Sequence, residues 1–97
     1  MYEKLVETLK TFLENYNRDL SDIKFNELAG YTKHDAIFDE IFFEDFSIYL
    51  KDNGLWDLML EFDNDMDSDV ESEEYDRATE TWNVMCDMVE KKVEAYL

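Results

Sequence analysis

Apolar residues recur at steps of three and four along most of the chain, which is the period of one face of an α-helix. The pattern predicts amphipathic helices over residues 3–16, 35–51 and 55–62, and a last long helix that begins near Glu73. The stripe of that last helix is the most regular: Tyr75, Ala78, Trp82, Met85, Val89, Val93 and Tyr96. These elements predict an all-α protein, a small bundle of four or five helices packed on one core.

The segment between the first two long helices contains turn-forming residues. Residues 17–21 begin with Asn and end with Ser, which favours a break in the helical structure. A short additional helix is expected over residues 21–29, and Gly30 would end it because glycine readily adopts a positive φ after a helix. This helix would bury some combination of Ile23, Phe25 and Leu28.

Residues 35–51 carry the broadest apolar stripe of the chain. Thr32 and Asp35 have the spacing of a capping box, which predicts where this helix begins. Its stripe consists of Phe38, Ile41, Phe42, Phe46, Tyr49 and Leu50. Phe43 and Ile48 widen the stripe almost all round, so we expect a central helix that contacts several neighbours.

The composition limits the classes of function that the chain can serve. With 97 residues it predicts a single domain over residues 1–97, and 26 acids against 9 bases give a formal net charge of −17. One Cys and one His cannot supply a disulfide framework or a zinc cluster, and no phosphate loop or nucleophile motif is present, so we expect no enzyme activity and no cofactor. The acidity disfavours direct contact with nucleic acid or an anionic membrane. No apolar run suits a signal peptide or a membrane span, which predicts a cytoplasmic protein.

The negative charge is concentrated in the middle of the chain. Between Lys33 and Arg77 there are sixteen acids and one base, Lys51, whereas the terminal thirds are nearly balanced. A small domain stays soluble with a net charge of magnitude about 2–8, and a larger excess opposes folding through self-repulsion. The excess therefore favours a binding role, and the expected partner is a basic protein.

Two acidic clusters stand out within this middle region. The first lies on the helix over residues 35–51, where steps of four and five keep its members on one side: Asp39, Glu40, Glu44 and Asp45. The second occupies a predicted acidic loop from residue 63 to residue 72 and the start of the next helix: Asp63, Asp65, Asp67, Asp69, Glu71 and Glu73. In an extended loop, alternate side chains lie about 6.6–6.8 Å apart, which is of the order of the phosphate spacing along a nucleic-acid strand. We expect these ten acids to contact the partner, with Trp56 or Tyr49 as an apolar anchor.

Three segments resemble known antirestriction proteins. Residues 42–55, FFEDFSIYLKDNGL, look like a stretch of the phage and plasmid antirestriction proteins Ocr and ArdA, in which an aromatic and acidic helix ends in an acidic-Gly-apolar turn. Residues 12–23, FLENYNRDLSDI, and residues 34–37, HDAI, are similar to parts of Ocr in the same order. The resemblance implies a phage-encoded DNA mimic that occupies the DNA- or RNA-binding groove of a host defence enzyme, such as a restriction or CRISPR enzyme.

The acidic stretch also matches part of the calcium-binding loop of an EF-hand. In a loop over residues 63–74, acids stand at positions 1, 3, 5, 9 and 12: Asp63, Asp65, Asp67, Glu71 and Glu74. Ser68 stands at position 6, where an EF-hand normally has Gly. An EF-hand-like calcium-binding module is therefore one alternative function.

Two further alternatives follow from the same residues. An immunity protein against a basic nuclease toxin would place the same acids against a basic active site, so the sequence does not separate it from a nucleic-acid mimic. The stripe of the last helix, in turn, can pack within the molecule or against a second copy, which leaves a homodimer open.

Overall fold

The computed structural model describes residues 2–97, which form a bundle of four helices. In chain order they are α1 (Glu3–Glu14), α2 (residues 33–52), α3 (Trp56–Met66) and α4 (Glu73–Glu94). The all-α prediction is confirmed, and a short acidic loop precedes the long last helix. Among residues 2–97, no helix has the length and apolar content needed to cross a lipid bilayer.

Helix α4 is the element against which the other three helices pack. Its first turn is capped by Ser72, whose hydroxyl accepts a hydrogen bond from the backbone N–H of Tyr75 at 3.2 Å. Four residues of the predicted stripe are fully buried against its neighbours: Ala78, Met85, Val89 and Val93. At the far end, the hydroxyl of Tyr96 donates to the carbonyl of Arg18 at 2.7 Å, which ties the segment after α1 to the end of the bundle.

Helix α2 contains a π-helical segment in its middle. The predicted capping box is confirmed, since the Thr32 hydroxyl and the Asp35 carboxylate each accept a hydrogen bond from the other's backbone N–H. The helix is α-helical over Lys33–Asp39, π-helical over Glu40–Phe46 and α-helical again over Ser47–Asp52. Its buried residues are Ala36, Ile37, Ile41, Phe42, Phe46 and Leu50. An α-helix turns by about 100° per residue, so residues four apart differ in direction by about 40° around the helix axis. The wider π-helical turn reduces this difference.

The predicted helix over residues 21–29 is wrong. Only Glu27–Ala29 are helical, as one 3₁₀ turn that is capped by the side chain of Asn26. Gly30 ends this turn in the left-handed region at φ 81°, as expected for a glycine in that position. Asn26 also forms an isolated antiparallel bridge with Tyr31, so the segment closes into a tight loop instead of a helix.

Local hydrogen bonding and exposure explain why this segment is not helical. The Asp19 carboxylate accepts a hydrogen bond from the backbone N–H of Ser21 at 2.9 Å, and such local bonds compete with a helix. Phe25 is 43% exposed and Leu28 is fully exposed, so neither provides the buried face that would stabilise a short helix. Of the three predicted core residues, only Ile23 packs against the core.

Three other predictions of the helices need correction. Helix α1 ends at Glu14, two residues earlier than the pattern predicts. Phe43 and Ile48 are each 52% exposed, so the apolar stripe of α2 does not extend all round the helix. Helix α3 has eleven residues and continues to Met66, about one turn beyond the last residue of its predicted stripe.

Candidate interaction surface

The first predicted acidic cluster lies on α2 and is partly neutralised within the protein. The Nη1 atom of Arg18 donates hydrogen bonds to Glu40 and to Asp45, the second at 2.8 Å. The hydroxyl of Tyr16 also donates to Asp45, at 2.5 Å. These bonds hold the segment between α1 and α2 against the π-helical segment. Glu40 and Asp45 therefore stabilise the fold, a role that the acidic pattern did not indicate.

The same contacts shift the pKa values of both donors. Burial raises the pKa of the Tyr16 hydroxyl above its ordinary value of 10.0, and the hydrogen bond to Asp45 raises it further. The pKa of the Arg18 guanidinium is also raised, first by its hydrogen bond to Asp45 and then by that to Glu40. Both groups keep their protons throughout the physiological pH range, so the contact persists over that range.

Asp39 and Glu44, the other members of this cluster, lie beside an open cleft. The hydroxyl of Tyr31 donates to Asp39 at 3.0 Å, while Glu44 is exposed to solvent. The cleft has a volume of about 560 Å³, and its walls include both acids and the side chain of Lys24. This lysine offsets part of the charge, so this side of α2 is less acidic than the sequence predicts.

The second predicted cluster is not an extended loop. Helix α3 continues to Met66, so Asp63 and Asp65 are helical and point about 200° apart around the helix axis. Only residues 67–72 form the turn before α4. The expected row of alternate side chains is therefore wrong. Its physical reason is that Met66 packs against the core four residues after Phe62, which extends the apolar face of α3 by one turn.

The twelve-residue calcium loop is not formed either. Its first four positions, residues 63–66, belong to α3, and the carboxylate of Asp65 accepts a hydrogen bond from the hydroxyl of Tyr2. Glu74, the expected bidentate ligand, lies in the first turn of α4. Across the part of the chain that the structure describes, no three His, Cys, Asp or Glu side chains are arranged to hold a metal ion. The described residues therefore do not form the loop that the EF-hand alternative expects.

The most acidic surface is formed by the end of α2, by α3, by the turn after α3 and by the first turn of α4. We call residues 52–76 the acidic hairpin; its acids are Asp52, Asp57, Glu61, Asp63, Asp65, Asp67, Asp69, Glu71, Glu73, Glu74 and Asp76. Among residues 2–97, no Lys, Arg or His side chain forms an ion pair with any of these eleven acids. All of them are exposed except Asp65, which is half-buried. Because α3 and α4 pack against each other, these carboxylates are carried by a stiff support.

A row of carboxylates does exist on α3, but it follows the helix. Asp57, Glu61 and Asp65 are four residues apart, and each step rises about 6 Å along the helix axis. Asp57 and Glu61 were not among the predicted contacts, although their helical spacing opposite Met59 was a signal that could have identified them. Each pair of like charges at this spacing opposes helix formation by about 0.2–0.5 kcal/mol.

Asp63 lies at an aromatic cleft between α2, α3 and α4. The cleft has a volume of about 130 Å³ and is lined by Phe42, Phe43, Ser47, Trp56, Met59, Phe62, Asp63 and Trp82. Burial raises the pKa of the Asp63 carboxyl above its ordinary value, and the nearby charge of Asp67 raises it further. Trp56, a predicted anchor, is half-buried here, and the Nζ atom of Lys51 lies 4.6 Å from its ring centroid.

Two tyrosines near this surface have structural roles. Burial raises the pKa of Tyr2 to about 12, with a further contribution from its hydrogen bond to Asp65. Tyr49, the second predicted anchor, is half-buried, and its ring centroid lies 5.2 Å from that of Phe12. Both Asp65 and Tyr49 are therefore less available to a partner than the fully exposed acids of the hairpin.

Comparisons with known proteins do not identify a relative of this chain. No protein-family model, no curated protein and no solved structure matches it. Its function is therefore inferred from the arrangement of its own residues.

Proposed function

We propose that this protein is a nucleic-acid mimic that acts in the cytoplasm, where it binds the basic DNA- or RNA-binding groove of another protein and blocks it. The observation that supports the proposal is the acidic hairpin, whose eleven carboxylates lie on packed helices and on the turn between them, without an intramolecular ion pair among the described residues. The resemblance to phage and plasmid antirestriction proteins favours a host defence enzyme as the target.

The proposed mechanism is competition for cations that are already arranged to bind phosphates. Lys and Arg side chains form strong charge-assisted hydrogen bonds with carboxylates, so the groove of the target needs no rearrangement. Because the helices that carry these carboxylates are already packed, their backbone loses little conformational freedom on binding. The step of about 6 Å between Asp57 and Glu61 on α3 is of the order of the phosphate spacing of a nucleic-acid strand. Affinity should fall as salt is added, because exposed charges are then screened.

A matched variant separates the acidic hairpin from the fold itself. Five exposed acids of the hairpin are changed to their amides: Asp52→Asn, Asp57→Asn, Glu61→Gln, Asp67→Asn and Glu71→Gln. We call this protein the neutralised variant. Each substitution removes one negative charge, so the five together change the formal net charge from −17 to −12. No side chain in the ion pairs of Arg18 is altered.

The experiment is affinity capture from a bacterial lysate at low salt, followed by elution with a short DNA duplex. We expect nucleic-acid-binding proteins to be retained by the natural chain, released by the duplex, and retained much less by the neutralised variant. A purified target should then lose its activity on DNA or RNA when the protein is added. The proposal fails if nothing retained is released by DNA or RNA, or if the neutralised variant retains the same proteins. A captured toxin nuclease would instead support the immunity alternative.

A further inference from the structure

The aromatic cleft beside Asp63 is built from rings that lie nearly parallel. The rings of Phe42 and Phe43 are 5.3 Å apart between centroids at an interplanar angle of 9°. Trp82 continues the array, with its ring 5.4 Å from Phe42 at 27° and 6.4 Å from Phe62 at 23°. Phe43 is 52% exposed, so the array extends from the core to the surface.

The cleft combines the two features that attract a cation. Aromatic faces attract a positive charge through the ring quadrupole, and Asp63 adds a carboxylate to the same wall. Trp56 already receives one such contact, since the ammonium of Lys51 lies 4.6 Å from its ring centroid. The neighbouring acids of the hairpin extend the negative potential around the opening. A hydrophobic partner group would leave the charge of Asp63 without compensation.

We propose that this cleft binds one arginine side chain of a basic protein partner. A planar guanidinium can stack on aromatic rings and donate hydrogen bonds to a carboxylate at the same time, which an ammonium group does less well. The volume of about 130 Å³ suits a single side chain and is well below the roughly 300–1,000 Å³ of small-molecule sites. The identity of the partner rests on the proposed function, but the arginine preference of the cleft does not.

The test uses acetylated tetra-arginine and tetra-lysine amides as probes of the full chain. Binding is followed by tryptophan fluorescence and by the indole N–H signals of Trp56 and Trp82 in NMR spectra. Tetra-arginine should bind about threefold to fivefold more tightly than tetra-lysine and should shift both indole signals. Asp63→Asn should remove this preference. The matched control Glu61→Gln removes the same charge from the same helix outside the cleft, and it should keep the preference. Urea unfolding of both variants confirms that they are folded.

The outcomes distinguish the cleft from the hairpin. Equal affinity for the two peptides, or equal effects of Asp63→Asn and Glu61→Gln, would overturn the arginine site. That result would not affect the proposed function, which the capture experiment decides separately. An arginine preference that Asp63→Asn abolishes would establish the site even if capture from lysate fails. In that case the proposed nucleic-acid mimicry fails and the arginine-binding cleft stands.

Discussion

Added salt should stabilise this protein, because folding brings its negative charges together. The folded chain has a radius of gyration of 14.3 Å and carries a formal net charge of −17. Unfolding lets the same charges move apart over a coil of about 30 Å radius. Added salt therefore lowers the repulsion energy of the folded state by more than that of the unfolded state, because the folded state has the larger repulsion.

The size of this effect follows from Coulomb's law with screening. We treat the folded protein, net charge −17, as a sphere of about 17 Å radius and shorten the Debye length from about 10 Å in 0.1 M salt to about 3 Å in 1 M salt. The free energy of unfolding should then rise by about 4 kcal/mol across this range. The repulsion scales with the square of the net charge, so the neutralised variant should gain only about half as much, roughly 2 kcal/mol.

The measurement is urea unfolding at several concentrations of sodium chloride, because urea is uncharged and leaves the ionic strength unchanged. Fluorescence of Trp56 and Trp82 reports the transition, since both rings line the aromatic cleft. Subtracting the stability gained by the neutralised variant from that gained by the natural chain removes the general effect of salt on apolar groups, because both proteins share that effect. If both proteins gained the same stability, or if neither gained any, self-repulsion would not be the term that opposes folding.

Other predictions concern the core, the pH dependence and the contact of Arg18. Leu50→Ala should lower the free energy of unfolding by about 3 kcal/mol in urea unfolding, because Leu50 is fully buried. Ile48→Ala, at a half-exposed position of the same helix, should change it by less than about 1 kcal/mol. The pKa of Tyr2 is about 12 in the folded protein against an ordinary value of 10.0, so its protonated hydroxyl stabilises the fold below pH 10 and this stability is lost as the pH rises toward 12. Tyr2→Phe should therefore make the urea midpoint fall less steeply between pH 10 and pH 12. Arg18→Gln should free the segment between α1 and α2, and chymotrypsin should then cleave that segment faster than in the natural chain, while Lys24→Gln leaves the rate unchanged.

The long helices could be predicted from the sequence because each has an uninterrupted apolar stripe. The capping box of Thr32 and Asp35 and the start of α4 at Glu73 were also predictable, since local side-chain chemistry determines them. The segment over residues 21–29 was not, because Phe25 and Leu28 have helical spacing but find no neighbouring surface to bury them. Helical periodicity indicates which residues could share a face, and tertiary packing determines whether that face is covered.

The candidate surface was predicted as a region but not in its geometry. Acidic residues were taken to end α3 at residue 62, whereas Met66 packs against the core and carries the helix through Asp63 and Asp65. The ion pairs of Arg18 with Glu40 and Asp45 join residues more than twenty positions apart, so no local pattern contains them. The aromatic cleft likewise combines side chains from three helices, and it emerges only when those helices pack together.

The π-helical segment of α2 holds one residue more than a regular α-helix would need for the same rotation. Seven π-helical residues turn through about the same angle as six α-helical residues, so deleting the exposed Phe43 would allow a regular α-helix there and would keep Phe46 and Leu50 in the bundle interior. A deletion within the α-helical part, Ser47–Asp52, would instead rotate everything beyond it by about 100°, and the turn at Gly54 would send α3 in another direction. A single-codon deletion should therefore preserve the acidic hairpin when it falls in the π-helical segment and misplace the hairpin when it falls just after that segment.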